Sequence, residues 1–139
     1  MIAYGITDNG KVRDHNEEAY RFSLETDGSA VAVLCDGMGG VQAGEVASSI
    51  AADAFLEYAQ RSLRQSLPPL TADIARESAA YANLQVYDRS YREESLHGMG
   101  TTLVAAVIRP DEASVVNVGD SRCYWLAEGE IQQVTRDHS

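Results

Sequence analysis

Two long helical segments in succession divide this sequence into two groups of β-rich segments. Apolar residues recur every three to four positions across residues 44–67 and again across 71–91, which predicts two amphipathic helices. Pro68 and Pro69 separate the helices because proline cannot continue a helix, and Thr71 is the predicted N-cap of the second. A helix pair with several strands before it and several after it does not follow strict β–α–β alternation along the chain. The sequence therefore favours an α+β fold in which helices pack on antiparallel sheet.

The predicted strands fall before and after the helix pair. Two of them are uninterrupted apolar runs at residues 30–35 and 101–108, a pattern typical of strands buried on both faces. An Asp27-Gly28 pair predicts a hairpin turn before the first run, and a second hairpin is expected around Glu128-Gly129. The other predicted strands cover residues 3–6, 19–24, 114–118, 123–127 and 130–134.

Composition limits the kinds of partner. The 139 residues suggest one domain, and 21 acidic against 11 basic residues give a net charge of −10, which disfavours nucleic-acid binding. The acidity is explained either by a solvated surface or by carboxylates that converge on cations. No apolar run approaches the roughly 20 residues that span a membrane, and no signal peptide is visible. A cytoplasmic protein with Cys35 and Cys123 as reduced core residues is expected.

Two apolar strands end in an aspartate that neighbours a glycine. Asp36 precedes Gly37, and Asp120 follows Gly119. A carboxylate at the end of a rigid strand is held in place and remains reachable by solvent, and hard divalent cations prefer such oxygen ligands. For each pair taken alone, a role in forming a turn is the favoured alternative. Both interpretations stay open on these residues.

A polar loop before the strand at residues 19–24 carries further candidates. Glu17 and Glu18 form a carboxylate pair, and Arg13 offers a planar guanidinium suited to phosphate. The plain alternative is an exposed charged loop with an ordinary surface arginine.

Five ordered segments together resemble the protein phosphatase 2C family, and the resemblance covers essentially the whole chain. Its bacterial branch is closest because Met38 stands where many eukaryotic members carry histidine. The segments are Arg13-x-x-Asn16-Glu17-Glu18, Asp36-Gly37-Met38-Gly39-Gly40 followed by Gly44-Glu45, Gly100-Thr101-Thr102, Asn117-Val118-Gly119-Asp120-Ser121-Arg122, and Thr135-x-Asp137-His138-Ser139.

The resemblance implies a partial four-layer αββα sandwich, in which two antiparallel sheets lie between pairs of helices. It implies hydrolysis of phosphoserine and phosphothreonine in a protein substrate by a metal-activated water, without a phosphoenzyme. The substrate would be phosphorylated by a paired serine/threonine kinase. The expected cofactors are two Mn²⁺ or Mg²⁺ ions, with Asp120 near an accessory third ion as in bacterial members.

The resemblance also assigns roles to individual residues. Asp36 would bridge the two ions, and Glu17 with the backbone carbonyl of Gly37 would complete one of them. Arg13 would hold the phosphate oxygens, so Arg13 and Asp36 are the expected catalytic residues. Glu18 is included among the expected metal residues, although the family usually has aspartate there. The longer side chain is expected to disturb the water network around the ions.

The last residues carry a helix-start signal without a helix. Residues 135–139 are rich in N-cap types, which predicts that 1–139 is a single, truncated phosphatase-like domain. The family's remaining metal aspartates would lie further on, so a weak or half-built metal site is expected. Unpaired sheet edges would favour self-association. The alternative function is a catalytically inactive module that binds a phosphoprotein or a regulatory partner.

Overall fold

The computed structural model describes residues 1–8, 10 and 16–138, and the order of its elements follows the prediction. Strands β1 (Glu18–Leu24) and β2 (Ala30–Met38) precede helices α1 (Val41–Leu63) and α2 (Thr71–Arg92). A 3₁₀ turn at Glu94–Leu96 then leads into the remaining strands. These are β3 (Gly100–Thr101), β4 (Leu103–Ile108), β5 (Ala113–Val118), β6 (Tyr124–Ala127) and β7 (Glu130–Gln133). The α+β class is confirmed.

The main sheet is antiparallel throughout. Its strands lie in the order β1, β2, β4, β5, and β3 adds two further pairs to β2. Strands β6 and β7 form a separate hairpin, as predicted. Its turn residues Glu128 and Gly129 have φ values of 53° and 79°. Positive φ at both central residues is what a tight two-residue hairpin turn requires, because its twist then matches that of the strands.

The hydrophobic core lies between one face of the sheet and the two helices. Alternate residues of β2, namely Val31, Val33 and Cys35, point into it, and Phe55 of α1 is fully buried there. Small residues on α1 allow the helix to approach the sheet closely. Burial raises the pKa of the Cys35 thiol to about 12. Cys35 is therefore an inert core residue, as expected from the sequence.

The opposite face of the sheet is open along β1 and β2, so the prediction that residues 30–35 are buried on both faces was wrong. Strand β4 is better covered, since Val104, which pairs with Leu34, is only 6% exposed on that face. Leu34 of β2 is 36% exposed and Phe22 of β1 is 41% exposed on that face. Their burial would need a second layer, and among the described strands only β6 and β7 lie outside the main sheet. Residues 3–6, which were predicted as a strand, form no strand in the described structure. The fold is thus a partial sandwich.

Both helices differ slightly from their predicted bounds. Helix α1 begins three residues before Gly44 and ends four before the predicted residue 67. In α2, Thr71 is the first helical residue and not the N-cap, which is Leu70. Glu112 accepts a hydrogen bond from the Thr71 N–H at 2.9 Å, and this bond lowers the pKa of the Glu112 carboxyl. Within the described residues, no helix combines the length and apolar character needed to cross a bilayer.

Candidate metal centre

The two aspartates singled out from the sequence lie toward the same end of the main sheet. Strand β2 reaches Asp36 two residues before it ends, and β5 ends two residues before Asp120. Leu103, the first residue of β4, pairs with Val118 of β5, so the start of β4 lies between these two strand ends. Asp36 is half-buried and Asp120 is exposed. The antiparallel register brings together residues that are more than eighty positions apart in the sequence.

Glu17 lies directly opposite the residue after Asp36. Its carbonyl accepts a hydrogen bond from the Gly37 N–H at 2.9 Å, which extends the β1–β2 ladder by one position. The Glu17 side chain reaches the first turn of α1. A methyl group on Gly44 would lie 2.9 Å from Glu17 Cδ and 3.1 Å from each carboxylate oxygen. Glycine at position 44 therefore leaves the space that the Glu17 carboxylate occupies.

Gly37 and Gly44 are in closer contact still. A Cβ on Gly37 would lie 1.9 Å from the carbonyl oxygen of Gly44 and 2.4 Å from its carbonyl carbon. The end of β2 and the start of α1 thus touch through backbone atoms, which only a residue without a side chain allows at position 37. This contact fixes the distance between the end of β2, which carries Asp36, and helix α1, whose first turn adjoins the Glu17 carboxylate.

Glu18 pairs with Asp36 across the β1–β2 ladder, so both side chains leave the sheet on its open face. Glu18 is exposed, and its Oε2 accepts a hydrogen bond from the Thr7 hydroxyl at 3.1 Å. Its N–H donates to Asn16 Oδ1 at 3.0 Å, which fixes the entry into β1. The extra methylene of glutamate, compared with aspartate, is used here to reach Thr7.

The site residues are only partly assembled in the described part of the chain. Glu17, Asp36 and Gly37 lie together, Glu18 faces Asp36, and Asp120 lies beyond the end of β5. Arg13 lies outside the described residues. Across residues 1–8, 10 and 16–138, no three acidic, histidine or cysteine side chains converge as a metal-binding group. The arrangement provides oxygen donors of the kind that divalent cations prefer, but not a full ligand set.

Residues 135–138, which carry the residue types of a helix start, have no helix or strand in the described structure. They lie against the end of β5. The Arg122 guanidinium donates to the Asp137 carboxylate from Nη2 to Oδ2 at 2.7 Å and from Nε to Oδ1 at 3.0 Å, and it lowers the pKa of that carboxyl. The His138 N–H donates to the Gly119 carbonyl at 2.9 Å, and His138 Nδ1 accepts from the Gly119 N–H at 3.2 Å. Sequence reasoning missed these contacts, which hold the residue before Asp120.

Comparison with known proteins points to one family. A model of protein phosphatase 2C matches residues 9–139. The serine/threonine phosphatase stp of Listeria welshimeri is 36% identical, over 100% of this chain and 55% of its own length. The serine/threonine protein phosphatase PstP of Mycobacterium tuberculosis is 39% identical, over 94% of this chain and 24% of its own length. The chain thus spans about half the length of the first curated relatives it matches.

Solved structures agree with this assignment. The serine/threonine phosphatase Stp1 from Staphylococcus aureus superposes with a TM-score of 0.82 at 37% identity, over 96% of this chain and 52% of that one. The catalytic domain of PstP in complex with two manganese ions gives a TM-score of 0.80 at 32% identity, over 94% of this chain and 53% of that one.

Proposed function

Because the chain belongs to the protein phosphatase 2C family, we propose that it forms part of a metal-dependent phosphatase that hydrolyses phosphoserine and phosphothreonine in proteins. The observation that carries the proposal is the placement of Glu17, Asp36 and Gly37 at one strand end, where Glu17 lies opposite Gly37 and its carboxylate adjoins the first turn of α1. Their oxygen atoms match the ligand chemistry of hard divalent cations.

The donor set and its surroundings fit a metal ion. Glu17 and Asp36 would hold it through carboxylates, and Gly37 through its carbonyl, while the missing side chain of Gly44 keeps room for the Glu17 carboxylate. We propose Mn²⁺ as the ion, since a related catalytic domain binds two manganese ions. A bound divalent cation would supply an acidified water and offset charge on the phosphate. Asp120 is proposed to adjoin a third ion.

The chain's own residues would bind and orient the substrate. Arg13 is proposed to bind phosphate oxygens through two parallel N–H donors. Asp36 is oriented by a strand that pairs on both sides, so little conformational freedom is lost on binding. Met38 is 53% exposed near this site and has no proton to give, so the leaving group would take its proton from another source. Glu18 is proposed to contact the water around the ions.

The proposed partner is a phosphorylated protein whose phosphate was transferred by a serine/threonine kinase. Nucleic acid is an unsuitable partner for a net charge of −10. The free cysteines Cys35 and Cys123 fit a reducing compartment, so the cytoplasm is the proposed location.

Self-association is proposed through the open face of the main sheet. Leu24 and Phe22 are 45% and 41% exposed there, and apolar side chains in contiguous patches favour association. We expect sedimentation velocity on this chain to give a weight-average sedimentation coefficient that rises with protein concentration in the micromolar range. A sharp monomer boundary at every concentration, together with cooperative melting, would contradict self-association.

The function is tested by measuring two quantities on this chain: Mn²⁺ binding by calorimetry and phosphate release from a phosphothreonine peptide. We expect weak Mn²⁺ binding and slow or no release, because the described ligands make only part of a site. Phosphate release that requires Mn²⁺ and stops with a chelator would support the enzyme more strongly. Tight phosphopeptide binding without any Mn²⁺ binding would overturn the proposal in favour of a non-catalytic binding module.

A further inference from the structure

Thr102 interrupts the backbone ladder at the position of Asp36. The register that pairs Leu34 with Val104 and Gly37 with Thr101 places Thr102 directly opposite Asp36. In a hydrogen-bonded antiparallel pair, the two opposed residues ordinarily exchange two N–H···O=C bonds. Here the Thr102 N–H donates to the Asp36 carbonyl at 2.9 Å, but the Asp36 N–H donates to the Thr102 hydroxyl at 3.0 Å. The backbone of Asp36 is therefore held by a side chain.

The same hydroxyl reaches the other strand end. Thr102 Oγ1 lies 2.6 Å from the hydroxyl oxygen of Ser121, the residue after Asp120. The register of β4 with β5 places Thr102 opposite Gly119, where a methyl group would lie 2.8 Å from Thr102 Cγ2. Thr102 is only 6% exposed, so both hydrogen bonds are shielded from water. A shielded hydrogen bond is costly to leave unmade.

We propose that Thr102 is a positioning residue whose hydroxyl fixes the backbone of Asp36 and couples it to the segment that carries Asp120. A hydroxyl can accept one hydrogen bond and take part in a second at once, so a single atom joins the two strand ends. The backbone carbonyl of Thr102 accepts the Thr101 hydroxyl at 2.8 Å. The inference rests on the proposed metal role of Asp36 and names the group that holds that residue in place.

The first test compares Mn²⁺ affinity among matched variants of this chain. Thr102→Val keeps the shape of the side chain and removes the hydroxyl. We expect it to weaken Mn²⁺ binding about tenfold or more, as does the loss of other residues that hydrogen-bond to a metal ligand. Thr102→Ser retains the hydroxyl and should stay within about threefold of the parent. Ser121→Ala, which removes only the second contact, should have an intermediate effect and serves if Thr102→Val fails to fold.

Thr71→Val is the matched control for loss of a buried threonine hydroxyl. Thr71 is 1% exposed and its hydroxyl lies 2.7 Å from that of Ser114, at the start of α2. It should lower stability as Thr102→Val does and leave Mn²⁺ affinity unchanged. Equal weakening of Mn²⁺ binding by Thr71→Val, or none by Thr102→Val, would overturn the proposal.

Amide hydrogen exchange separates this inference from the proposed function, because it needs no metal. The Asp36 N–H should lose protection in Thr102→Val and keep it in Thr102→Ser. Unchanged protection of Asp36 in Thr102→Val would refute the positioning role, whatever the metal measurements give. Lost protection combined with no Mn²⁺ binding by the parent chain would uphold the hydrogen bond and instead reject the metal role of Asp36.

Discussion

Asp36→Asn is expected to weaken Mn²⁺ binding by at least about 100-fold. Replacing a residue that only hydrogen-bonds to a metal ligand already lowers metal affinity about 10- to 100-fold. Asparagine keeps the size of aspartate but removes the charge that a divalent cation requires of its nearest ligand. The backbone bonds of Asp36 to Thr102 do not involve the carboxylate, so the strand end should stay in place. Calorimetric titration with Mn²⁺ measures the effect, and thermal melting checks that the fold persists.

Asp88→Asn is the control for charge alone. Asp88 lies on α2 and forms an ion pair with Arg92 at 3.1 Å, and its replacement changes the net charge by the same amount. Mn²⁺ affinity should be unchanged in this variant. If both variants bound Mn²⁺ as weakly as each other, general acidity and not the strand-end site would hold the ion.

Gly37→Ala is expected to lower the free energy of unfolding by about 3 kcal/mol or more, above the usual range for overpacking. The new methyl group would lie 1.9 Å from the Gly44 carbonyl oxygen and 2.8 Å from the Gly44 Cα. These are backbone atoms, which no side-chain rotation can move away. Helix α1 would have to shift from the end of β2, and the core beneath it would open. Urea denaturation followed by circular dichroism measures the loss.

Two other glycines provide graded controls for this prediction. A methyl group on Gly100 would lie 3.6 Å from Met38 Cγ, an ordinary contact, so Gly100→Ala should change stability by less than about 1 kcal/mol. The loss of stability in Gly44→Ala should lie between those of Gly100→Ala and Gly37→Ala, because its methyl group meets the Glu17 carboxylate, which can rotate. A Gly37→Ala variant as stable as Gly100→Ala would mean that β2 and α1 tolerate separation.

Much of the fold follows from local sequence patterns. Period-3.6 apolar residues predicted both helices, and Glu128-Gly129 predicted a hairpin whose φ values of 53° and 79° suit that turn. The bounds of α1 were off by three or four residues, because a helix end depends on which partners satisfy its terminal backbone groups. The prediction that β2 is buried on both faces was wrong, since an apolar run shows only that burial is favourable and not which layer supplies it.

What the sequence by itself determined was the order of elements, the family, and the residue types at the strand ends. Only the tertiary structure decided how those residues meet. Glu17 reaches α1 because Gly44 leaves space there, and Thr102 holds Asp36 through a hydroxyl in place of a backbone carbonyl. Both contacts join residues that are distant along the chain, and they arise from strand register and helix approach. Those quantities follow from packing of the whole core, so no local pattern of residues encodes them.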